Sequence, residues 1–506
     1  MFIKFDSAMK KIQHILVAML LMSTTAIGQN LVDGLRYSDY RIQGTARSAA
    51  MGNAFGALGG DFTSASINPA GLGIYRSSEF VITPSFGKTS VDINYLGQTT
   101  NESKYTIGLP NVGYVTNFND NGTQNGSMVG LSFGVGYNRL NNFNMKRMME
   151  ARDATSSMLD EFVLNADGLN VNQLSSYYER LAVDTELIYT EDDSEGLYRH
   201  DMQKFPYTDD LTNYEHHQRK SYSQKGNIDE FLISMAANFN HRFYLGATVG
   251  IHNVDFKETT SLFESDPDDN APIFNDYTFN TYLHTTGTGF NVKLGAIYKP
   301  TDALRFGVAV HTPTFYRLHD SFDNSMYSSL NFGDGEYSAL SPLGDYDYDL
   351  TTPMKAVFSA AYVIGKSAII SLDYEYVDYS TIKLDDGGNG YDFFDENQVI
   401  ENAYKAVGNL HVGAEYRLSN ELSLRAGYEH YPSPMNENFQ SSTMDTSDAV
   451  SSAISGGLGF RQGGFFFDVA YKHAIDKNYA EVYNGSDLAN FEITKDQLIM
   501  TLGFRF

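Results

Sequence analysis

The chain has 506 residues, a net charge of −26 and no cysteine, so neither a disulfide framework nor a thiolate metal site holds it together. The acidic balance argues against nucleic acid as a partner. The chain contains 35 Tyr and 34 Phe but no Trp, beside 44 Gly and only 12 Pro, which favours many strands with aromatic ends over a helical enzyme or a disordered tail.

The first predicted element is an export signal. Lys10 and Lys11 precede the apolar run 15–22, which is too short to span a bilayer. Ala26-Ile27-Gly28 then supplies the small residues that signal peptidase requires. We therefore expect residues 1–28 to be removed near Gly28/Gln29.

The second predicted element, residues 29–78, is rich in small side chains. Nineteen of the thirty residues from Gly44 to Gly73 are Gly, Ala, Ser or Thr, which is too little bulk for a core of its own. Asn68-Pro69 breaks any helix just before the strands begin. This segment must therefore pack inside the rest of the protein.

From residue 79 onward the chain alternates between apolar and polar residues. Leu422, Leu424, Ala426 and Tyr428, for example, alternate with polar or small residues, as in a strand with one apolar face. The pattern predicts fourteen strands, at 79–97, 108–118, 127–139, 229–240, 242–257, 278–299, 303–316, 352–364, 367–379, 408–418, 421–431, 451–461, 464–474 and 495–506.

The connections between these strands alternate in length. Five are tight, including those at 365–366 and 419–420, and 119–126 is the one loose turn on the short side. Every second connection is longer, from about ten residues to nearly ninety. A soluble sandwich also shows apolar-polar alternation, but an even strand count with alternating turn lengths favours a closed transmembrane barrel. We expect loop tips such as Asp268, Gly388 and Asn484 to face outward, and Gly365 and Asn420 to face the periplasm.

The longest connection, 140–228, is predicted to carry an amphipathic helical cap on the outside. Met145, Met148, Met149, Met158 and Phe162 recur at roughly helical spacing around basic and acidic residues. They could capture apolar ligands, since methionine is an adaptable contact, or they could simply pack the helix onto the rim, which is the more frequent case. Lys146 and Arg147 could pair with a ligand carboxylate or form a solvated cationic face.

Stretches over nearly the whole mature chain, including the hairpins 408–431 and 451–474, resemble a known family. Residues 44–54 together with Asp61 and the pentapeptide 68–72 (NPAGL) resemble the N-terminal plug, or hatch, of the FadL/TodX group of outer-membrane transporters for long-chain fatty acids and aromatic hydrocarbons. Residues 289–307 resemble that group's mid-barrel hairpin. The final segment QLIMTLGFRF stops on Phe506 and resembles the terminal strand read by the barrel assembly machinery.

The resemblance implies a 14-stranded antiparallel barrel in the outer membrane (79–506), plugged by the hatch (29–78), that passes hydrophobic small molecules without a cofactor. An apolar ligand would be captured outside, reach a pocket against the hatch, and leave sideways through a gap in the wall into the membrane lipid. Candidate hatch and ligand contacts are Arg47, Met51, Phe55, Leu58, Asp61, Asn68, Pro69, Ala70, Gly71 and Leu72, and candidate external capture residues are Lys146, Arg147, Met148, Met149 and Phe162.

Other functions have weaker support in the sequence. A barrel of the same family could instead serve as an accessory in protein secretion. Gly130-Leu-Ser-Phe-Gly matches a nucleophile elbow by letters, but Ser132 lies within a predicted strand, so we expect no enzyme. Asp385, Asp386 and Asp392 could hold calcium and His216-His217 a metal, although the spacing matches no known ligand loop and we expect no metal site.

Overall fold

The computed structural model describes residues 31–119, 128–190, 196–204, 212–436 and 450–506. The predicted signal segment, residues 1–28, lies outside the described residues, and so does nearly all of the loose turn expected at 119–126.

Fourteen antiparallel strands form one closed barrel, which confirms the predicted fold class and strand count. Both β2 and β14 pair with β1, and Phe80 lies opposite Phe504 where the first and last strands meet. The strands are β1 (Glu79–Tyr95), β2 (Gln98–Asn119), β3 (Met128–Asn142 and Met145–Ala154), β4 (His216–Phe239), β5 (Phe243–Ser265), β6 (Phe274–Tyr298), β7 (Leu304–His311 and Phe315–Leu330), β8 (Gly344–Thr351 and Lys355–Ile364), β9 (Ala368–Asp378 and Lys383–Asp386), β10 (Ala406–Arg417), β11 (Leu422–Tyr431), β12 (Ser451–Gln462), β13 (Phe465–Glu481) and β14 (Leu488–Arg505).

The helices are short and lie inside or on top of the barrel. They are α1 (Leu31–Ser38), α2 (Ala46–Ala50), α3 (Ser64–Ile67), α4 (Met158–Ala166), α5 (Glu179–Asp184) and α6 (Phe394–Ala403), with 3₁₀ turns at Pro69–Ile74, Val171–Gln173 and Tyr379–Thr381. Among the described residues, no helix is both long enough and apolar enough to cross a membrane.

An apolar belt surrounds the half of the barrel nearer the short turns. Its outward side chains remain exposed in the isolated chain: Ile233 is 65 %, Phe290 57 % and Ile454 60 % accessible. Apolar outward residues over this height match the lipid-facing band of an outer-membrane barrel. Ser78 and Phe506 exchange backbone hydrogen bonds at the short-turn end, where the hatch segment enters the wall.

At the other end of the barrel most strands continue well past this belt. We call these strand extensions, together with the loops that they enclose, the crown. On β5, outward residues are apolar up to Ile251, and the strand then runs on to Ser265 with Asn253, Asp255 and Lys257 facing outward.

The first connection at this end is a two-residue turn, Leu96-Gly97, with positive φ at both residues. The expected loop of about ten residues after β1 was therefore wrong, because residues 98–107 pair with β1 instead.

The predicted helix starting near Met145 was also wrong. Met145–Ala154 is a strand that continues β3, with Met145 opposite Gln224 of β4. Methionines at positions i, i+3 and i+4 favour a helix locally. The edge of β4, however, offers this segment a continuous ladder of backbone hydrogen bonds, and this tertiary pairing determines that the segment is a strand. The helix begins only at α4, where Ser157 and Asp160 form a capping box.

Candidate functional site

The hatch segment, residues 31–78 of the described chain, runs through the inside of the barrel. Nearly every residue from 44 to 75 is buried. Hydrogen bonds tie the segment to widely separated strands: Ala46 N donates to Thr501 on β14 (2.7 Å), Gly56 N to Asp373 on β9 (2.7 Å), and Thr248 on β5 donates to Ala65 O (2.8 Å). The segment is therefore held to the wall around most of its circumference.

Small residues on both sides make this close fit possible. Gly246 of β5 faces the NPAGL turn, and a Cβ there would lie 2.3 Å from the carbonyl carbon of Pro69. Hatch and wall thus touch backbone to backbone, which bulky residues on either side would prevent. Sequence reasoning noted the small residues of the hatch but missed their glycine counterparts at inward positions of the strands.

Asn68 links the hatch to the barrel wall through side-chain hydrogen bonds. Its side-chain nitrogen donates to Gly56 O within the hatch (2.6 Å) and to Ala296 O on β6 (3.2 Å), and its side-chain oxygen accepts from Ala70 N (3.2 Å). Because Pro69 has no N–H, Asn68 supplies the hydrogen bonds that begin the 3₁₀ turn.

Arg47 and Asp61 each take part in a buried polar cluster. Arg47 Nε donates to Glu415 Oε2 (3.0 Å), which also accepts from Arg425 (2.7 Å), and Arg425 in turn contacts Asp468 (2.6 Å). Two guanidinium groups are thus balanced by two carboxylates. Asp61 accepts from Thr45 and from Thr63 N, and so holds the two ends of the small-residue stretch together.

The remaining hatch residues singled out from the sequence pack against the wall. Met51, Phe55 and Leu58 form one buried cluster with Ala361, and Leu72 joins another with Leu232. None of the ten hatch candidates lines the large cavity described next. Their role as ligand contacts therefore stays a prediction.

A cavity of about 620 Å³ lies between residues 31–43 of the hatch segment and the inner faces of β1–β3 and β10–β14. Leu31, Leu35, Phe491, Ile493 and Ile499 give it apolar surface. Sequence reasoning missed this site, because the residues that form it come from eight strands and from the part of the hatch segment that precedes the recognised motif.

Charged side chains line the same cavity, and most are paired. Lys472 contacts Glu429 (2.7 Å), and Asp476 contacts both Arg41 (2.8 Å) and Lys495 (3.4 Å). These ion pairs leave little net charge on this part of the wall.

Arg147 lines the cavity without forming an ion pair among the described residues. Its guanidinium stacks over Tyr222 at 4.0 Å, with Phe491 at 5.8 Å, and its buried Nε has no hydrogen-bond acceptor among the described residues. An N–H of a guanidinium that lacks an acceptor can receive a carboxylate oxygen. The structure therefore brings one of the predicted capture residues to the cavity.

The other four capture candidates do not line the cavity. Met149 and Phe162 are buried in the apolar core of the crown. This agrees with the second alternative given above, in which these residues pack the loop onto the barrel rim. Lys146 is exposed, and Met148, partly exposed, accepts a hydrogen bond through its carbonyl from Thr100. A role of these four in ligand capture stays a prediction.

The wall has an unpaired boundary between β2 and β3, which we call the seam. The ladder between the two strands runs only from Asn119↔Gly130 to Asn111↔Asn138. Beyond that point the described residues of β2 pair with β1 alone, and those of β3 and its second piece pair with β4 alone. β2 residues 98–110 and β3 residues 139–154 thus each present a free edge.

The hatch segment satisfies part of the free edge of β3. Arg41 N donates to Leu140 O (3.1 Å) and Gln43 N to Arg139 O (3.3 Å). Thr106 of β2 and Asn141 and Asn142 of β3 also line the cavity, so the cavity reaches the seam from inside. Displacing residues 41–43 would open backbone groups at a place where the wall is not closed by a ladder.

The weaker enzyme and metal signals lie in ordinary surroundings. Ser132 sits within β3 and accepts from Asn117, and His217 contacts Glu150 (2.8 Å). Lys383 contacts Asp385 (2.8 Å), and Asp386 accepts backbone amides of its own loop. In the part of the chain that the structure describes, no three His, Asp or Glu side chains are grouped closely enough to hold a metal ion.

Comparison with known proteins agrees with this architecture. A sequence model of the family described as outer membrane protein transport protein (OMPP1/FadL/TodX) matches residues 229–505. The solved structure of the toluene transporter TodX from Pseudomonas putida is similar at 13 % identity, with a TM-score of 0.53, over 92 % of this chain and 99 % of that chain. A FadL homologue from Pseudomonas aeruginosa is similar at 14 % identity, with a TM-score of 0.51, over 92 % and 98 %. No curated protein matches the chain.

Proposed function

The chain belongs to the family of outer membrane protein transport proteins (OMPP1/FadL/TodX), and from that membership we propose that it is a passive channel for hydrophobic small molecules with the crown outside the cell. The observation that carries the proposal is the cavity of about 620 Å³ that reaches the unpaired seam. A cavity joined to a gap between strands gives an apolar ligand a route into lipid that avoids the plugged lumen.

The cavity fits an amphiphile with an acidic head better than a plain hydrocarbon. Leu35, Phe491 and Ile493 offer apolar surface, and each buried CH₂ of a ligand contributes about 0.8 kcal/mol. Arg147 offers an Nε–H that lacks an acceptor among the described residues, and a carboxylate could accept from it. Long-chain fatty acids combine both features.

Lateral release follows from the contacts of residues 41–43. While they bond Leu140 O and Arg139 O, the hatch segment occupies the free edge of β3. A ligand that displaces this stretch would exchange those hydrogen bonds for its own contacts and open the seam toward the membrane. This step needs no energy source, since the ligand moves from a poor solvent to a good one.

Export and assembly are part of the same proposal. Cleavage near Gly28/Gln29 would release the mature chain into the periplasm. The barrel assembly machinery would recognise the terminal strand with Phe506, whose exposed ring stacks on Tyr114, and outer-membrane lipid would contact the apolar belt.

The test is uptake of a fluorescent long-chain fatty acid by cells that carry the protein or lack it. Ala453 and Ala474 lie opposite each other and both line the cavity, so Ala453→Trp and Ala474→Trp fill it without crowding the core. Ala414→Trp, on the lipid-facing side, is the matched control. We expect uptake to fall with the first two substitutions and to persist with the control.

Two results would contradict the proposal. Equal uptake by cells with and without the protein would remove the transport function, and a change in exported protein yield at constant uptake would favour the secretion accessory. Uptake that survives both tryptophans would show that the ligand takes another path.

A further inference from the structure

The outer wall carries a group of lysines beside the seam. Lys225 of β4 lies directly opposite Lys257 of β5, and Lys146 of β3 lies opposite Ser223, diagonal to Lys225. Lys104 reaches across the seam and donates to Gln224 O at 2.9 Å. Lys146, Lys225 and Lys257 thus face outward on three neighbouring strands, and Lys104, on the inward-facing side of β2, approaches them across the seam.

This arrangement is unfavourable without an anion. Like charges directly opposite each other in a strand pair destabilise the sheet, and Lys146 and Lys225 also repel Lys104. The chain as a whole has a net charge of −26, so basic clustering at this place is not a result of composition.

The nearest carboxylates of the same strands are already engaged. Asp255 contacts His284 (2.9 Å), Glu150 contacts His217 (2.8 Å), and Asp229 contacts Arg139 (3.0 Å). No carboxylate of the described residues forms an ion pair with the three outward lysines, 146, 225 and 257. These three ammonium groups are therefore open to an anion from outside the chain.

The surface just below the lysines is apolar and open. On β2, Tyr105 is 64 % and Ile107 84 % exposed on the outward side, and both follow Lys104 toward the short-turn end. The patch therefore places positive charge immediately above lipid-facing side chains. A membrane lipid has the matching arrangement, with its phosphate above its acyl chains.

We propose that Lys146, Lys225 and Lys257 bind the phosphate groups of an anionic glycolipid of the outer leaflet, whose acyl chains lie against Tyr105 and Ile107 at the seam. The ammonium groups neutralise the phosphates, and the apolar side chains of β2 bury part of the lipid tail. The lipid would stand directly outside the boundary where the wall lacks a ladder.

The experiment measures lipid binding by the purified full-length protein in a neutral detergent. The probes are bisphosphorylated lipid A, its dephosphorylated form with the same acyl chains, and inorganic phosphate. One variant carries Lys146→Gln, Lys225→Gln and Lys257→Gln. The control carries Lys299→Gln, Lys366→Gln and Lys383→Gln, which change the charge equally at other sites.

We expect the unaltered protein and the control to bind the bisphosphorylated lipid about tenfold more tightly than the dephosphorylated one, with the preference weakened by salt. The first triple variant should lose that preference while its barrel keeps the heat resistance of the unaltered protein. The proposal is overturned if this variant keeps the preference, if the two lipids bind equally, or if inorganic phosphate displaces the lipid at equal concentration. Fatty-acid uptake is measured separately, so loss of the transport proposal leaves this result standing.

Discussion

Replacing Asn68 by alanine should loosen the hatch without opening the barrel. Asn68 is almost fully buried, and its amide is the hydrogen-bond partner of Gly56 O and Ala296 O. Alanine leaves Gly56 O without this donor and Ala70 N without its acceptor, at about 1–3 kcal/mol for each buried group. Because such losses are not additive, we take about 2–4 kcal/mol for the pair.

That free energy can be converted to a change in the population ratio of the unseated and seated forms of the hatch. At 1.4 kcal/mol for each factor of ten, the unseated form of the hatch should become about 30-fold to 700-fold more populated. Hydrogen exchange reports this population for each amide, since a local opening exposes the amides that it releases. Protection of amides in residues 60–75 should fall by that factor, and protection in β4–β6 should not.

The control for this experiment is Asn238→Ala. Asn238 is also buried, but its oxygen accepts from His241 N in a turn (2.9 Å), away from the hatch. Because the described side-chain hydrogen bonds of Asn238 go to His241 and none goes to the hatch, its loss should leave exchange in residues 60–75 unchanged. The reasoning is refuted if Asn68→Ala raises hatch exchange less than about threefold, or if exchange rises equally in hatch and strands.

Four further predictions test other parts of the structure. Deleting residues 44–66 should leave a barrel that assembles but conducts ions in planar bilayers; a silent deletion would place the block in the crown. A single cysteine at Gly388 should label on intact cells and one at Asn420 should not, and equal labelling would contradict the orientation. Arg147→Gln should weaken binding of a fatty acid about tenfold to hundredfold while binding of its methyl ester stays constant, because only the charged head loses a partner; equal losses for both ligands would contradict this. Burial, with the nearby carboxylates of the crown, raises the pKa of Glu161 to about 7, so the crown should be most stable below the unfolded pKa and lose stability as pH rises through 7. Exchange in α4 measured at pH 5 and pH 8 should show this difference, and Glu161→Gln should abolish it.

Strand number and barrel closure could be predicted because their signals are local. Alternation along a segment such as Leu422–Tyr431 follows from side chains that point to opposite faces, and the tight turns are short enough to read directly. The small-residue stretch 44–73 could also be assigned to the interior, since it cannot form a core alone. The hatch motif was recognised by resemblance to a family, and Asn68 within it donates to Gly56 O and accepts from Ala70 N.

The errors arose where a neighbouring strand decides the conformation. Residues 98–107 looked like a loop and Met145–Ala154 like a helix, yet both are strands because β1 and β4 offer them paired edges. The conformation around Met149 was wrong for the same reason, since a continued β3 turns Met149 inward and buries it in the crown.

The sequence by itself thus determined the strand pattern, the closed barrel and a plug of small residues, because periodicity, turn chemistry and side-chain size act within a few positions of the chain. Only the tertiary structure decided where the wall lacks a ladder, which side chains enclose the cavity, and that Arg147 stands there without an acceptor. These features depend on how strands far apart in sequence are staggered against one another, and that stagger leaves no mark on any single segment.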